Sequence, residues 1–246
     1  VLDLAIQIQQ IAAPTFAEGP RGEFVRDLFI QEKLDDISMD SLGNVYARLP
    51  GKEKKAQALV VSAHLDTVFP AETRLQASTE PSRSFKEEVG KVFGPGIGDN
   101  SIGVAALFGI LWALRERKIQ LQHDVWFAAN VGEEGLGDLR GMRGVVERFG
   151  ADVIGYLILE GLALGHVYHR AIGVRRYRIS AKTRGGHSWS DYGQPSAVHE
   201  LAALVTQLTE IKLPREPRTT MNVGTFGGGT GINVLASEAK CDLDLR

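Results

Sequence analysis

Two adjacent carboxylates, Glu133 and Glu134, stand in the run Asn130-Val-Gly-Glu-Glu-Gly135, directly after the apolar stretch 125–129. On a loop or helix surface such a doublet is usually a solvated pair. At the end of a buried strand it is electrostatically costly, because adjacent like charges resist joint ionisation unless a cation or a proton is shared between them. A metal ion removes that conflict for one carboxylate and leaves the other as a base. Other ionisable residues occupy equivalent places. The run 58–63, rich in β-branched residues, reads as a buried strand and ends in His64-Leu-Asp66. The run 153–159 reads as a second buried strand and ends in Glu160-Gly161. Between them, Gly94-Pro-Gly-Ile-Gly-Asp-Asn100 leads into an apolar helix expected over 101–117. In open α/β sheets, ligands bind beyond the carboxyl ends of the strands. One cleft is therefore offered His64, Asp66, Asp99, Glu133, Glu134 and Glu160.

Each residue also has a plainer reading. His-x-Asp at a strand end is common by chance, Asp99 before a helix is an obvious N-cap, and Glu160 alone is a loop acid. Jointly, four ionisable clusters at four element ends of one sheet point to two metal ions. Imidazole and carboxylate ligands suit zinc, and also cobalt or manganese. On a regular strand His64 and Asp66 share a face, so Asp66 could orient the imidazole without binding metal itself. A two-metal site needs a bridging carboxylate and a base beside the nucleophilic water. Asp99 is the natural bridge, Glu133 the base and Glu134 a ligand.

The elements that must position these groups follow from periodicity and breakers. Residues 2–12 and 21–34 read as amphipathic helices separated by Ala13-Pro14 and Gly19-Pro20. A strand is expected over 44–49, a polar surface loop or hairpin over 73–91, and a short helix over 141–148. From there the pattern changes. Strands are expected over 174–180, 219–226 and 238–245, with a helix over 195–211. The change lies near Gly173, a candidate hinge, which gives domains 1–172 and 173–246.

These residues resemble the di-zinc metallohydrolase family of aminoacylase, acetylornithine deacetylase, carboxypeptidases and tripeptide aminopeptidases. The matching pieces, in the family's order, are Ser62-Ala-His-Leu-Asp66, Gly98-Asp-Asn-Ser101, Gly132-Glu-Glu-Gly135, Leu159-Glu-Gly161 and Gly185-Gly-His-Ser188. The resemblance implies an α/β fold with a mixed, mostly parallel sheet and flanking helices. It also implies a partial ferredoxin-like α+β lid and dimerisation domain. It makes His64, Asp99 and Glu160 ligands of one Zn2+, and Asp99 and Glu134 ligands of a second, with Co2+ or Mn2+ as substitutes. Asp66 then supports His64, and Glu133 is the catalytic general base. A cis peptide after Asp99 is implied too. His187 of the lid would reach a partner subunit's site and stabilise the oxyanion, and Asn233, after the glycine-rich run Gly227-Gly-Gly-Thr-Gly231, would contact substrate. The implied activity is hydrolysis of an amide bond in a small peptide or N-acylated amino acid by a homodimer, with a tripeptidase slightly ahead. The family's second zinc takes a further His from the end of the catalytic domain, and no His follows His199 here. That gap and the initial Val1 lead us to expect a longer natural protein, and an inactive fragment as given.

Composition narrows the alternatives. Of 246 residues, 43% are hydrophobic and 24% charged, an ordinary globular balance. A net charge of -2 gives no case for nucleic acid or an anionic membrane. The longest apolar stretch, 103–114, reads as too short to span a bilayer. A single cysteine, Cys241, excludes an internal disulfide and fits a reducing, cytoplasmic location. It alternates with charged residues and is expected to face a core. His123, His166, His169 and His199 lack a comparable context. A nucleotide-binding reading of the glycine-rich run lacks the Gly-Lys-Ser/Thr signature. A non-catalytic metal-binding or assembly protein on the same scaffold remains the alternative; its mark would be loss of the base or the bridge, and both Glu133 and Asp99 are present.

Overall fold

The structure, a computed structural model, describes residues 1–53, 56–76, 92–161 and 164–246. Most of the expected loop over 73–91 lies outside the described residues. The chain divides into two compact units, Val1–His166 and Val167–Arg246.

In the first unit, helices α1 (Leu2–Gln9) and α2 (Gly19–Gln31) precede strands β1 (Asp35–Met39), β2 (Val45–Leu49) and β3 (Ala58–His64). Helix α3 (Ile102–Glu116), strand β4 (Val125–Asn130), helix α4 (Arg140–Phe149) and strand β5 (Val153–Ile158) follow. The sheet runs β1-β2-β4-β3-β5. Its pairing is mixed: β1–β2 and β2–β4 are antiparallel, whereas β3 runs parallel to both β4 and β5. The parallel strands are those whose carboxyl ends carry the ionisable motifs. Strand β1 was not expected, because Asp35-Asp-Ile-Ser-Met39 lacks apolar alternation; its pairing with β2 decides the matter. Strand β5 was expected to be buried. Within this chain it is an outermost strand of the sheet, and Ile154, Leu157 and Ile158 are exposed.

Helix α3 is apolar on most sides. Val104, Ala105, Leu107, Phe108 and Leu111 enter a core with Ile8 of α1, Val25 and Phe29 of α2, and Phe127 of β4. Phe29 stacks on Phe108 with ring centroids 4.9 Å apart. The stretch Ile97–Glu116 is 20 residues long and by length and composition could cross a membrane, but non-helical Asp99 and Asn100 interrupt it, and the helix proper is the 15 residues Ile102–Glu116. The burial of these side chains against the sheet and the other helices makes α3 a core helix. Helix α2 begins with Pro20 in its first turn, where a missing N–H costs nothing. It turns Arg21, Gly22, Val25 and Phe29 inward at helical spacing.

The second unit comprises β6 (Arg175–Lys182), β7 (Gly186–His187), α5 (Ala197–Thr209), β8 (Met221–Gly228), β9 (Val234–Leu235) and β10 (Glu238–Leu245). Strands β6, β10 and β8 form an antiparallel sheet in that order. Ala197 and Leu201 of α5 pack with Ala239 and Cys241 of β10. The buried Cys241 thus faces the core. Strand alternation leaves Arg178 and Asp242 outside, paired at 2.7 Å.

Candidate metal centre

The site assembles at the carboxyl ends of the three parallel strands. β3 ends at His64, whose ring is buried. Its Nε2 lies 2.9 Å from Asp99 Oδ1 and 3.6 Å from Glu160 Oε2. Glu160 follows β5. Asp99 lies in the turn before α3, where Asp99 (φ -128°, ψ 94°) and Asn100 (φ -133°, ψ 35°) leave the helical region. The Asp99–Asn100 peptide is cis, as the resemblance implies. The plainer reading of Asp99 as an N-cap is not realised, since no side-chain cap bond forms there; its carboxylate faces His64 instead. The neighbour Asn100 ties the turn down: its Nδ2 donates to the Leu159 carbonyl at 2.8 Å, and its Oδ1 accepts the Gly103 N–H. Gly161 completes this corner. A Cβ there would overlap the Gly98 carbonyl oxygen, so only glycine lets the two loops approach.

Two groups of ligating atoms result, His64–Asp99–Glu160 and His64–Glu133–Glu134, each with its atoms within 4.8 Å of one another. Neither the Glu133 nor the Glu134 carboxylate has a side-chain hydrogen bond or ion pair among the described residues.

Asp66 is fully buried and does more than its spacing suggested. β3 has already ended, so the shared strand face does not extend to it. His64 Nδ1 donates to the Asp66 main-chain carbonyl at 3.0 Å, closer than to Oδ1 at 3.5 Å. The carboxylate is directed to the neighbouring loop: Oδ1 accepts the Glu133 N–H at 2.9 Å, and Oδ2 accepts the Glu134 N–H at 3.0 Å and the Thr15 hydroxyl at 2.9 Å. Buried Arg21 caps the adjacent Leu65 carbonyl at 2.7 Å.

The electrostatics follow from this crowding. Burial opposes ionisation of Asp66, but the hydrogen bonds from His64 and the two backbone N–H groups hold its carboxyl down at about 2. Burial also opposes protonation of His64, yet hydrogen bonds to Asp66, Asp99 and Glu160 lift its imidazole to about 12. Burial, then the charges of Asp99 and Glu133, push Glu134 up to about 7. Glu133 is raised chiefly by burial.

Other side chains that shape this site were not singled out in the sequence, Thr15, Glu18 and Arg140 among them, and Asn100 was named only as part of the Gly98-Asp-Asn-Ser101 motif and its cis peptide. Their partners are distant in sequence, so only the Thr15 and Glu18 neighbourhood of Pro14 and Pro20 offered a signal, and that was read as helix breaking. In the second unit, exposed His187 pairs with Val234 across β7 and β9, and its Nδ1 accepts the Trp189 N–H at 3.2 Å. The Asn233 carbonyl accepts the Ser188 N–H at 3.0 Å, which holds Asn233 beside the His187 loop.

Comparison with known proteins agrees with these motifs. The model of peptidase family M20/M25/M40 matches residues 60–239. A Peptidase M20 domain-containing protein of Schizosaccharomyces pombe is 30% identical over 211 residues, which are 82% of this chain and 48% of that protein. Among solved structures, a tripeptidase from Staphylococcus aureus superposes with a TM-score of 0.67 at 21% identity, covering 100% of this chain and 65% of that one. A dinuclear metal-binding peptidase of Bacillus subtilis superposes with a TM-score of 0.58 at 14% identity, covering 100% and 63%. The chain spans about half the length of the curated relatives it matches. With a family model matched across most of its length, and the motifs gathered at one end of the sheet, the chain belongs to peptidase family M20/M25/M40.

Proposed function

We propose that this chain supplies the base and most of the metal ligands of a hydrolase that cleaves an amide bond in a small peptide or N-acylated amino acid. The observation that carries the reading is the convergence of His64, Asp99, Glu133, Glu134 and Glu160 into two overlapping ligating groups. The donor set fits divalent metal. Imidazole nitrogen and carboxylate oxygen suit zinc, and also cobalt or manganese. The clustered carboxylates outnumber the single imidazole, and cations relieve that excess of negative charge. His64, Asp99 and Glu160 would hold one ion; the two groups overlap at His64, and the family resemblance, together with the charge of Asp99 acting on Glu134, is what supports Asp99 and Glu134 as ligands of a second, with Asp99 shared.

Such ions supply polarisation of a scissile carbonyl and a water acidified towards neutral pH. Glu133 would take the proton of the attacking water and deliver it to the leaving amine; its raised carboxyl suits that exchange. Asp66 would keep both His64 and the Glu133–Glu134 backbone in place. The unit Val167–Arg246 would serve as lid and dimerisation domain, a role its strand order β6-β10-β8 and the packing of α5 support. His187 would then donate a hydrogen bond to the oxyanion in a partner subunit, and Asn233 would contact substrate. Membership of a peptidase family favours a short peptide over an acylated amino acid.

Metal content and turnover of the full-length protein on a panel of di- and tripeptides and N-acetyl amino acids test this reading. Asp99→Ala should lower metal content at both positions. Glu133→Gln should keep the metal and lose on the order of 10²–10⁴ in turnover. Unchanged metal content in Asp99→Ala refutes the shared ligand, and loss of metal in Glu133→Gln with normal turnover per bound metal exchanges the roles of Glu133 and Glu134.

A further inference from the structure

Four successive backbone N–H groups, those of Val131, Gly132, Glu133 and Glu134, are all received by side chains from the N-terminal part of the chain. Asn44 Oδ1 accepts Val131 at 3.0 Å, Glu18 Oε1 accepts Gly132 at 3.0 Å, and Asp66 accepts Glu133 and Glu134. The carbonyls of the same segment are received from the other side: Arg140 N donates to Gly132 O at 3.1 Å and Gly141 N to Val131 O at 3.0 Å. Gly132 itself is left-handed at φ +61°, and a Cβ there would collide with the Arg140 side chain. The segment is thus fixed at the backbone, while the carboxylates it carries have no side-chain partner among the described residues. Their aim is set by the main chain.

Within this frame Glu18 is the unexplained member. It is buried, 4% exposed, at the start of α2 and 114 residues from Gly132 in sequence. Its Oε1 accepts both the Phe16 and Gly132 N–H groups, and Arg140 Nη2 reaches both its oxygens at 2.9 and 3.0 Å. The Arg140 guanidinium also lies 5.1 Å over the Phe16 ring. A buried carboxylate needs such pairing. Here the pairing also clamps the residue before Glu133 between the start of α2 and the start of α4.

We infer that Glu18, held by Arg140, is a positioning residue for the Glu133–Glu134 pair: it sets the Gly132 peptide from which both carboxylates are directed. The inference rests on the reading of Glu133 as base and Glu134 as ligand. It predicts an effect on chemistry and metal affinity beyond any effect on stability. In Glu18→Gln the amide can still accept one backbone N–H, but its NH2 faces the Arg140 donors. Arg140→Lys keeps the charge and removes the two-oxygen contact.

The test uses the full-length protein at a temperature well below its melting point. Expected in Glu18→Gln is a fall in kcat of about 10- to 100-fold with KM little changed, and a weakening of Co2+ affinity, titrated into the dialysed protein by visible absorption, of similar size. Arg140→Lys should show the same pattern in weaker form, and it carries the test if Glu18→Gln fails to fold. Wild-type kcat and Co2+ affinity in the folded variants, with only a lowered melting temperature, overturn the inference and leave Glu18 a stability residue. Glu133→Gln run alongside separates the two claims. If it keeps wild-type turnover, the reading of the site fails; if it is inactive while Glu18→Gln is normal, the positioning role alone fails.

Discussion

Asp66→Asn is the sharpest single perturbation, because the structure leaves the amide no good orientation. Each carboxylate oxygen of Asp66 accepts a backbone N–H, Oδ1 from Glu133 and Oδ2 from Glu134. Whichever way the asparagine turns, its NH2 meets one of these donors. Losing a hydrogen bond to a charged group costs about 1.5–3 kcal/mol, and a buried donor left unmade about 1–3 kcal/mol. A net loss of about 3 kcal/mol follows, or about 6–12 °C in Tm for a protein of this size. That is within the ~5–15 kcal/mol of a typical domain, so the variant should fold. Displacement of the two main-chain groups should also weaken divalent metal binding about 10- to 100-fold. Calorimetric melting and metal titration of the dialysed protein measure both. Thr15→Val is the internal control: it removes only the hydroxyl donor on Oδ2, should cost about 1 kcal/mol, and should leave metal affinity near the parent's. An Asp66→Asn protein with parental Tm and metal affinity would refute the argument that this carboxylate works as a double acceptor.

Gly161→Ala should fold, since the residue lies in a loop, yet its Cβ must push the Gly98 carbonyl away and carry Asp99 from Glu160. A misplacement of about 1 Å can cost on the order of 10² in rate, so a fully active variant would contradict the close approach. If the proposed dimer places His187 at the partner's site, mixing the full-length variants His187→Ala and Glu133→Gln should restore part of the activity, because a mixed dimer would hold one site with an intact base and an intact partner histidine; no recovery in demonstrated mixed dimers refutes action in trans. Cys241 is buried and its thiol is pushed up by burial and by Asp242, so a thiol-specific reagent should react slowly until denaturant unfolds the second unit, and rapid labelling of the native protein would place Cys241 outside the core.

The residues that the structure gathers at the site were legible because each sits at or near the end of a local pattern. Short apolar runs mark β3, β4 and β5; His64 and Glu160 follow their runs directly, and Glu133 comes three residues after β4. The apolar run of α3 likewise marks Asp99 as a residue before a helix. What holds these residues was not legible, because it is made of distant pairs. Thr15 reaches Asp66 over 51 residues, Glu18 reaches Arg140 over 122, and Asn100 reaches Leu159 over 59. No periodicity encodes such contacts. Strand β1 escaped for a related reason: Asp35-Asp-Ile-Ser-Met39 has little intrinsic strand preference, and pairing with β2 overrides it.

The division between ligands and supports also explains why the doublet can exist. Glu133 and Glu134 repel each other, and burial raises both. A flexible loop would let them swing apart into solvent. Here Asn44, Glu18 and Asp66 take up the loop's N–H groups, and the first residues of α4 cover its carbonyls. Two of those three supports are themselves buried carboxylates: Glu18 pairs with Arg140, and Asp66 is satisfied by the Glu133 and Glu134 N–H groups and the Thr15 hydroxyl. The fold therefore fixes the backbone with hydrogen-bonded acids and leaves the repelling pair at the site with no side-chain partner among the described residues. A cation is what such an arrangement is built to receive: it attracts the carboxylates that the main chain will not allow to separate.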